Sequence, residues 1–305
     1  MDNQESLPKE SAEITDETMK QTQAIEMLPK LHKPCKWADM TWEEFRDAVV
    51  ETRGVVLVPF GCLEKHGNQL PLATDSFVAT EVCERAAMME KAVVFPFSPF
   101  GHVAECRHWP GAVSLKSSTL LALLNDLCDE LARNGLQKII FQNGHGGNAP
   151  LLRYFQRQSL DTRKPYAVYL ASKSWVGDQA KAFAHLMGRD ALPEYGHACV
   201  IETSEVLALR PETVRMDRVD VSEAHRLNRL GKFKGLPVET PLDWYADYPN
   251  HIAGDPSEAR AEWGEWLLDL WATNLANVIR LVRDDEMTPH LLDEYYMRCR
   301  TLSKA

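Results

Sequence analysis

Apolar runs and amphipathic segments alternate along the chain from residue 54 onward. The apolar runs are short and rich in β-branched residues, as in buried strands, and they cover 54–59, 92–96, 137–142 and 166–172. The segments between them carry apolar residues at helical spacing and predict helices over 76–91, 117–134 and 149–158. Strands separated by helices form right-handed crossovers. The pattern therefore predicts an α/β fold, a three-layer sandwich in which a mostly parallel sheet carries helices on both faces.

Two further helices flank this region. The segment Thr41-Trp42-Glu43-Glu44 predicts the start of a short helix, because a threonine side chain can cap a helix and acidic side chains are favourable in its first turn. A long helix is predicted over 256–283. Its tryptophans, Trp263, Trp266 and Trp271, recur at a spacing typical of core packing or a subunit interface rather than of a ligand site.

The two ends of the chain differ from this globular pattern. Residues 1–35 are polar and acidic and lack aromatic side chains, so they predict a weakly ordered N-terminal arm. Residues 36–285 contain every predicted strand and helix, and we expect them to form one domain. Residues 286–305 follow the last predicted helix as a C-terminal extension.

Charge and composition disfavour several functional classes. The chain has 305 residues, and 44 acidic side chains against 34 basic ones give a net charge of -10. An acidic balance disfavours nucleic acids and anionic membranes as partners. No apolar run reaches the length of a transmembrane helix, and the polar N-terminus is unlike a signal peptide, so a cytoplasmic location is expected. The seven cysteines are scattered without paired spacing, which argues against a disulfide framework.

The first strand is followed at once by side chains that bind metals. Glu64 and His66 stand two positions apart, and alternate side chains of an extended segment share a face, so both can aim at one point. Asp75 follows a short loop bent by Pro71, which can return it to that point. Carboxylates together with imidazoles favour zinc, manganese or iron.

A second motif, Asn-Gly-His-Gly-Gly-Asn over 143–148, follows the third strand and contains His145. In parallel sheets ligands bind beyond the carboxyl ends of the strands, so both motifs are expected to meet at one edge. Two simpler interpretations exist. A single histidine at a strand end is more often structural than a ligand. A glycine-rich turn before a helix can also cradle a phosphate, although this turn lacks the spacing of the phosphate-binding motifs.

Three segments of the chain, in order, resemble those of the creatininase (creatinine amidohydrolase) family. The family shares a Glu-x-His-Gly segment with Leu-Pro and Asp downstream, an Asn-Gly-His-Gly-Gly-Asn turn, and a histidine segment ending in Glu-Thr-Ser. Here the last segment runs from His197 to Ser204. Weaker similarities occur at 109–115 and 254–256. The resemblance covers 37–285, and the combination of three motifs is specific although each alone is weak.

This resemblance implies a dinuclear metal centre. It places Glu64 and His145 on one metal and His66 on the other. Asp75 bridges them, and the two divalent ions are expected to be zinc or manganese, with iron also compatible. Paired metals can polarise a carbonyl and lower the pKa of water to about 7, which supplies a nucleophile at neutral pH. Creatininase itself has a glutamate two residues after the metal-binding histidine, whereas this chain has Gly147.

His197 and Glu202 match the catalytic histidine and glutamate of the family. We assign His197 to protonation of the leaving nitrogen and stabilisation of the oxyanion, since imidazole titrates near neutral pH. The role of Glu202 stays open between catalysis and replacement of the carboxylate absent at position 147. A water molecule could also fill that place, or the carboxylate could have no replacement at all.

Three side chains are candidates for substrate binding. Glu105 and Trp109 lie in a segment where many relatives have Glu-His in place of Glu-Cys, and Trp175 follows the fourth strand. Simple packing explains a tryptophan there equally well. His251 and Trp244 precede the 254–256 segment, which is expected to approach the site from the same or a neighbouring subunit.

Together these features predict a metal-dependent amidohydrolase that cleaves a C–N bond other than a peptide bond in a small, cyclic amide through metal-activated water. A formamide hydrolase or a peptide-processing hydrolase of the same family is the alternative. A non-catalytic binding protein with the same fold is a third possibility, which the intact set of candidate site residues disfavours. The resemblance also implies a homo-oligomer, because the family tends to form ring-like homohexamers.

Overall fold

The computed structural model describes residues 32–301. The predicted N-terminal arm lies outside the described residues except for 32–35, and so do the last four residues of the predicted extension. Within the described part of the chain, no helix is long and apolar enough to cross a membrane.

A sheet of five parallel strands forms the centre of the fold. The strands are β1 (Cys35–Lys36), β2 (Val55–Phe60), β3 (Val93–Val94), β4 (Lys138–Asn143) and β5 (Ala167–Ser172). Their spatial order is β1-β3-β2-β4-β5, and each neighbouring pair is parallel. Parallel neighbours need crossover connections, which the helices supply.

Helices cover both faces of this sheet. The α-helices within residues 32–301 are α1 (Trp42–Glu51), α2 (Thr74–Met89), α3 (Ser117–Arg133), α4 (Asn148–Gln158), α5 (Gln179–Leu186), α6 (Val200–Leu209), α7 (Asp243–Asp247), α8 (Ala261–Asp284) and α9 (Met287–Thr301). On one face, α1, α3 and α4 share a core with Val56, Val58 and Phe141 of the strands. On the other face, α2 and α8 pack where Leu57 and Ile140 are buried. The predicted three-layer α/β sandwich is confirmed.

The predicted elements are present, some with different ends. The predicted cap at Thr41 is a capping box, in which two residues exchange hydrogen bonds. The Glu44 N–H donates to Thr41 Oγ1 at 3.3 Å, and the Thr41 N–H donates to Glu44 Oε2 at 2.7 Å. The second predicted strand, 92–96, is reduced to β3, since Pro96 has no N–H with which to continue the ladder.

The long C-terminal helix begins later than the sequence predicts, at Ala261 rather than 256. Arg260 has an extended backbone, with φ -139° and ψ 143°, and its N–H donates to Ser204 Oγ at 3.1 Å. The segment before Ala261 is therefore a loop tied to α6. No sequence pattern predicted β1, α5, α6, α7 or α9; α9 forms most of the predicted C-terminal extension.

Candidate metal centre

Acidic and histidine side chains meet beyond the carboxyl ends of β2 and β4. Phe60 and Asn143, the last residues of these strands, are paired in the sheet, so the two motifs leave it side by side. We call the side chains that meet here the acid–histidine cluster, and each of them lies within 4 Å of another member. Its members are Glu64, His66, Asp75, Glu105, His145, His197, Glu202 and His251.

Two glycines let the backbone of Asp75 enter the cluster. A side chain at Gly61 would lie 2.5 Å from the backbone nitrogen of Ser76, and a side chain at Gly144 would lie 2.5 Å from the carbonyl oxygen of Asp75. Contacts this close are not tolerated, so glycine is required where the first turn of α2 passes the ends of β2 and β4. The close approach brings Asp75 between the two motifs.

One group of donor atoms forms around His145. Glu64 Oε1 lies 2.9 Å from His145 Nδ1, and Asp75 Oδ2 lies 3.1 Å from the same nitrogen. The thiol of Cys62 donates to Asp75 Oδ2 at 3.2 Å. All of these side chains are buried, and their donor atoms lie within 4.8 Å of one another.

A second group forms around the other oxygen of Asp75. His66 Nε2 lies 3.1 Å from Asp75 Oδ1 and 3.9 Å from Glu202 Oε2. The Ala198 N–H donates to that Glu202 oxygen at 2.5 Å. Asp75 thus faces His145 with one carboxylate oxygen and His66 with the other, which is the arrangement of a carboxylate that bridges two cations.

Backbone carbonyls orient the four imidazoles of the cluster. The bonds run from His66 Nδ1 to Glu64 O at 3.3 Å, from His145 Nε2 to His102 O at 3.2 Å, from His197 Nε2 to Lys65 O at 2.8 Å and from His251 Nε2 to Glu105 O at 3.2 Å. A ring nitrogen that donates to a carbonyl leaves the other nitrogen with a lone pair in the neutral tautomer. In each ring that other nitrogen faces a carboxylate of the cluster. Histidines that bind metals are oriented in this way.

Charges within the cluster shift the pKa values of its members. Burial lowers the pKa of His66, but the carboxylates of Asp75 and Glu202 outweigh burial and raise it to about 9. Burial likewise lowers the pKa of His145, and Glu64 and Asp75 raise it well above its usual value. Burial raises the pKa of Asp75, yet the two imidazoles hold it well below its usual range. Protons and cations therefore compete for the same imidazole nitrogens, because a histidine ligand must be neutral.

Two buried polar atoms of the cluster have no hydrogen-bond partner among residues 32–301. They are His251 Nδ1 and Glu64 Oε1, which lies 2.9 Å from His145 Nδ1 without the alignment of a hydrogen bond. An unsatisfied buried polar atom costs about 1–3 kcal/mol, so native proteins pair such atoms with water or an ion. Carboxylate oxygens and imidazole nitrogens are the ligand atoms that zinc and manganese bind in proteins. The residues present therefore fit divalent cations.

His251 is a member of the acid–histidine cluster that was not predicted from the sequence. Its Nδ1 lies 3.7 Å from Glu64 Oε2, and its side chain is fully buried. Burial, with the charges of His197 and His108, lowers the pKa of His251 to about 3, so its imidazole is neutral. The available signal was its position just before the 254–256 segment, and the structure brings that segment to the site from the same chain.

Trp109 and Lys65 hold the segment that carries His251. The Trp109 indole N–H donates to the Pro249 carbonyl at 2.8 Å, and Lys65 Nζ donates to the Asn250 carbonyl at 2.5 Å. Lys65 Nζ also lies 4.2 Å from the centroid of the Trp109 ring. The polar atom of Trp109 is thus used within the protein, and a role of Trp109 in substrate binding stays a prediction.

Glu105 stands beside His145, in the space that a side chain at position 147 would enter. Glu105 Oε1 lies 3.3 Å from His145 Nε2. A side chain at Gly147 would lie 2.5 Å from that same carboxylate oxygen. The carboxylate that is absent after His145 is therefore matched in space by one from a different segment.

Trp175 packs against two aromatic side chains. Its ring lies 5.8 Å from Phe183 and 4.7 Å from Trp271, and its N–H donates to the Tyr195 hydroxyl at 3.2 Å. Within the described residues, no aromatic or hydrogen-bonded contact joins Trp175 to the acid–histidine cluster. This placement favours the packing interpretation, and its predicted substrate contact stays a prediction.

A buried ion pair fixes the helix that carries Glu202. Lys173 Nζ lies 2.8 Å from Glu205 Oε2, and the Trp271 N–H donates to Glu205 Oε1 at 2.7 Å. These bonds join the segment after β5 to α6 and α8. Glu202 is therefore presented by a helix that is bound to the sheet and to the neighbouring helix layer.

A cavity of about 700 Å³ opens next to the cluster. Glu105, Gly147 and Trp244 line this cavity, and its apolar lining includes Leu121, Leu151, Tyr154 and Pro241. Trp244 packs edge to face on His197 with 5.7 Å between ring centroids. Small-molecule sites have volumes of about 300–1,000 Å³ and few polar groups, so this cavity has the size and lining of a ligand pocket.

Comparisons with known proteins agree with this site. A family model described as "Creatininase: Creatinine amidohydrolase" matches residues 38–279. Creatinine amidohydrolase of Pseudomonas putida is 29% identical over 256 residues, which cover 79% of this chain and 95% of that protein. A mycofactocin precursor peptide peptidase of Mycobacterium ulcerans (strain Agy99) is 30% identical over 215 residues, which cover 68% of this chain and 76% of that protein. A solved structure described as "Creatininase Mn" has a TM-score of 0.67 and 26% identity, and the match covers 83% of this chain and 100% of that one.

The family match includes the whole acid–histidine cluster, since its members lie between residues 64 and 251. The solved structure described as "Creatininase Mn" shares the fold, and its description names a divalent metal. The buried donor groups of this chain support divalent metal binding here as well. The chain thus belongs to the creatininase family and is, as predicted, a hydrolase.

Proposed function

We propose that this protein hydrolyses a small amide at a pair of divalent cations, with water as the nucleophile. One observation carries the proposal: four imidazoles, each bound to a backbone carbonyl through one nitrogen, direct the other nitrogen at the carboxylates of a single cluster. Placing so many titratable groups together is costly unless cations balance the carboxylates. Zinc or manganese are the proposed ions, and iron is compatible with the same donors.

Glu64, Asp75 and His145 would hold one cation, and His66, Asp75 and Glu202 would hold the other. Glu202 supports this assignment because its carboxylate lies near His66 Nε2. Divalent cations bound there would polarise a carbonyl oxygen and lower the pKa of water toward neutrality.

His197 is the proposed proton carrier. Its Nε2–H is bound to the Lys65 carbonyl, so Nδ1 is the nitrogen that can take a proton and pass it to the leaving nitrogen. Nδ1 lies 3.9 Å from Glu64 Oε1, inside the cluster, and Trp244, which lines the cavity, packs against the His197 ring. The chain thus places a proton-transfer group between the metal donors and the space for substrate.

The cavity next to Glu105 is the proposed binding site for the substrate. A volume of about 700 Å³ admits a small amide, cyclic or open, and Glu105 offers a carboxylate to its N–H groups. Hydrolysis of a formamide or of a peptide by the same centre is the alternative. The 30% identity to the mycofactocin precursor peptide peptidase supports hydrolysis of a peptide. We further propose 36–285 as the catalytic domain and a homohexamer as the assembly, both on family resemblance.

A substrate screen with metal-stripped and metal-reloaded protein tests this function. Creatinine, other cyclic amides, formylaminopyrimidines and short peptides would be incubated with each form and with the variants His66→Ala and His290→Ala. We expect metal-dependent release of amine from a non-peptide amide by the wild type and by His290→Ala, whose histidine is exposed on α9, and no turnover by His66→Ala. Cleavage of peptides alone would favour the alternative. Metal-independent ligand binding without turnover would indicate a binding protein and contradict the proposal.

A further inference from the structure

Cys62 lies among the proposed metal donors without an assigned role. The segment after β2 is extended, so Cys62 shares a face with Glu64 and His66, whereas Leu63 and Lys65 point elsewhere. The thiol is buried and donates to Asp75 Oδ2 at 3.2 Å. Its sulfur lies within 4.8 Å of donor atoms of Glu64, Asp75 and His145.

The spacing of these four donors suits a tetrahedral ion. Bonds of about 2.0–2.3 Å in a tetrahedron place neighbouring donors about 3.3–3.8 Å apart. The observed separations are 2.9 Å between His145 and Glu64, 3.1 Å between His145 and Asp75, and 3.2 Å between Cys62 and Asp75. Small outward movements of the side chains would complete the geometry.

A second observation points to a ligand at the same place. Glu64 is 1% exposed, and its Oε1, although 2.9 Å from His145 Nδ1, makes no hydrogen bond of suitable geometry among residues 32–301. This oxygen is directed into the same group of ligand atoms. A cation between Glu64 and Cys62 would satisfy this oxygen. The cation would also take the place of the Cys62 thiol proton, which now forms a hydrogen bond to Asp75.

We propose that Cys62 is a thiolate ligand of the cation held by Glu64, Asp75 and His145. The inference rests on the proposed function, because it assumes a metal in this centre. On binding, the S–H bond of Cys62 breaks, a sulfur–metal bond forms and the proton leaves to solvent.

The consequence is a pair of unequal metal positions. A soft thiolate selects zinc, cobalt or cadmium over manganese, which prefers carboxylate and water oxygens. The position formed by His66, Asp75 and Glu202 has no sulfur and is harder. Zinc is therefore expected at the position beside Cys62, and manganese is tolerated at the other.

Cobalt spectroscopy tests this inference. The full chain would be stripped of metal, loaded with cobalt and examined for thiolate-to-cobalt charge-transfer absorption in the near ultraviolet. We expect the band in the wild type and its loss in Cys62→Ser with cobalt still bound. The matched control is Cys106→Ser, whose sulfur accepts the Lys65 N–H at 3.3 Å outside the donor group, and it should keep the band. The preference for zinc over manganese should fall at least about tenfold in Cys62→Ser.

The outcomes separate this inference from the proposed function. Bound cobalt without the band in the wild type, or a band that persists in Cys62→Ser, overturns the thiolate ligand and leaves the dinuclear centre standing. A wild type that binds neither cobalt nor zinc overturns both. Should Cys62→Ser fail to fold, cadmium NMR of the wild type decides: a resonance in the sulfur-bonded range supports the ligand, and resonances typical of oxygen and nitrogen donors alone refute it.

Discussion

Asp75→Asn is expected to remove metal from both positions and to lower kcat/KM by at least about 1,000-fold. Asp75 Oδ1 lies 3.1 Å from His66 Nε2, and Asp75 Oδ2 lies 3.1 Å from His145 Nδ1, so one side chain serves both groups of donors. Asparagine keeps the size but removes the negative charge, and it turns an NH₂ group toward one of the cations. Metal analysis by mass spectrometry and steady-state kinetics measure the two effects.

Asp129→Asn is the matched control, because Asp129 is a partly exposed residue of α3 that pairs with Lys164 away from the cluster. It should keep full metal content and activity. An Asp75→Asn protein that folds, retains two metals per chain and turns over at the wild-type rate would show that Asp75 does not bridge the centre.

His197→Gln is expected to lower kcat by about 100- to 10,000-fold, the range for loss of a general acid–base group, while metal content stays unchanged. The His197 ring packs against the His66 ring, tilted by 31° with 4.1 Å between centroids, but its Nδ1 lies 3.9 Å from the nearest carboxylate oxygen of Glu64. Glutamine preserves the hydrogen bond to the Lys65 carbonyl and cannot carry a proton. Turnover rates and metal content would be measured on the same samples.

The control is His185→Gln, an exposed histidine at the end of α5. It should match the wild type in both measurements. Loss of one metal in His197→Gln would instead make His197 a ligand, which its place beside His66 and Glu202 also allows geometrically. The proton-transfer role would then be wrong.

The part of the centre that the sequence predicts depends on local geometry and on the sheet. Glu64 and His66 share a face because the segment after β2 is extended, and His145 joins them because β2 and β4 are parallel neighbours. The position of Asp75 depends in addition on the close approach of α2 to Gly61. The first two steps follow from the alternation of side chains along an extended segment and from the binding of ligands beyond the carboxyl ends of parallel strands. The third follows from the small size of Gly61.

The rest of the site depends on contacts between distant segments. His251 is far from Glu64 in sequence and has φ 53°, a left-handed backbone that few non-glycine residues adopt. Its place depends on Trp109 and Lys65, whose bonds to carbonyls of the 249–250 segment leave no trace in composition or periodicity. Glu105 is similar, since only the folded chain shows that its carboxylate occupies the space beside Gly147.

In the fold, too, local patterns were predicted correctly and features set by contacts between distant residues were not. The four strands predicted from apolar runs and the crossover helices are confirmed, because burial on both faces of a parallel sheet imposes a strong pattern. The start of α8 was predicted too early, since the hydrogen bond from Arg260 to Ser204 links residues 56 positions apart. Helix α6 was missed because its residues, 200–209, were interpreted as a chemical motif rather than as a helix.

Anomalous diffraction from crystals of the metal-loaded protein tests the central claim most directly. We expect two anomalous peaks, one on either side of Asp75. One should be bounded by Glu64 and His145, and the other by His66 and Glu202. Diffraction that shows no metal there, with Glu64 and His145 turned into separate surroundings, would contradict it.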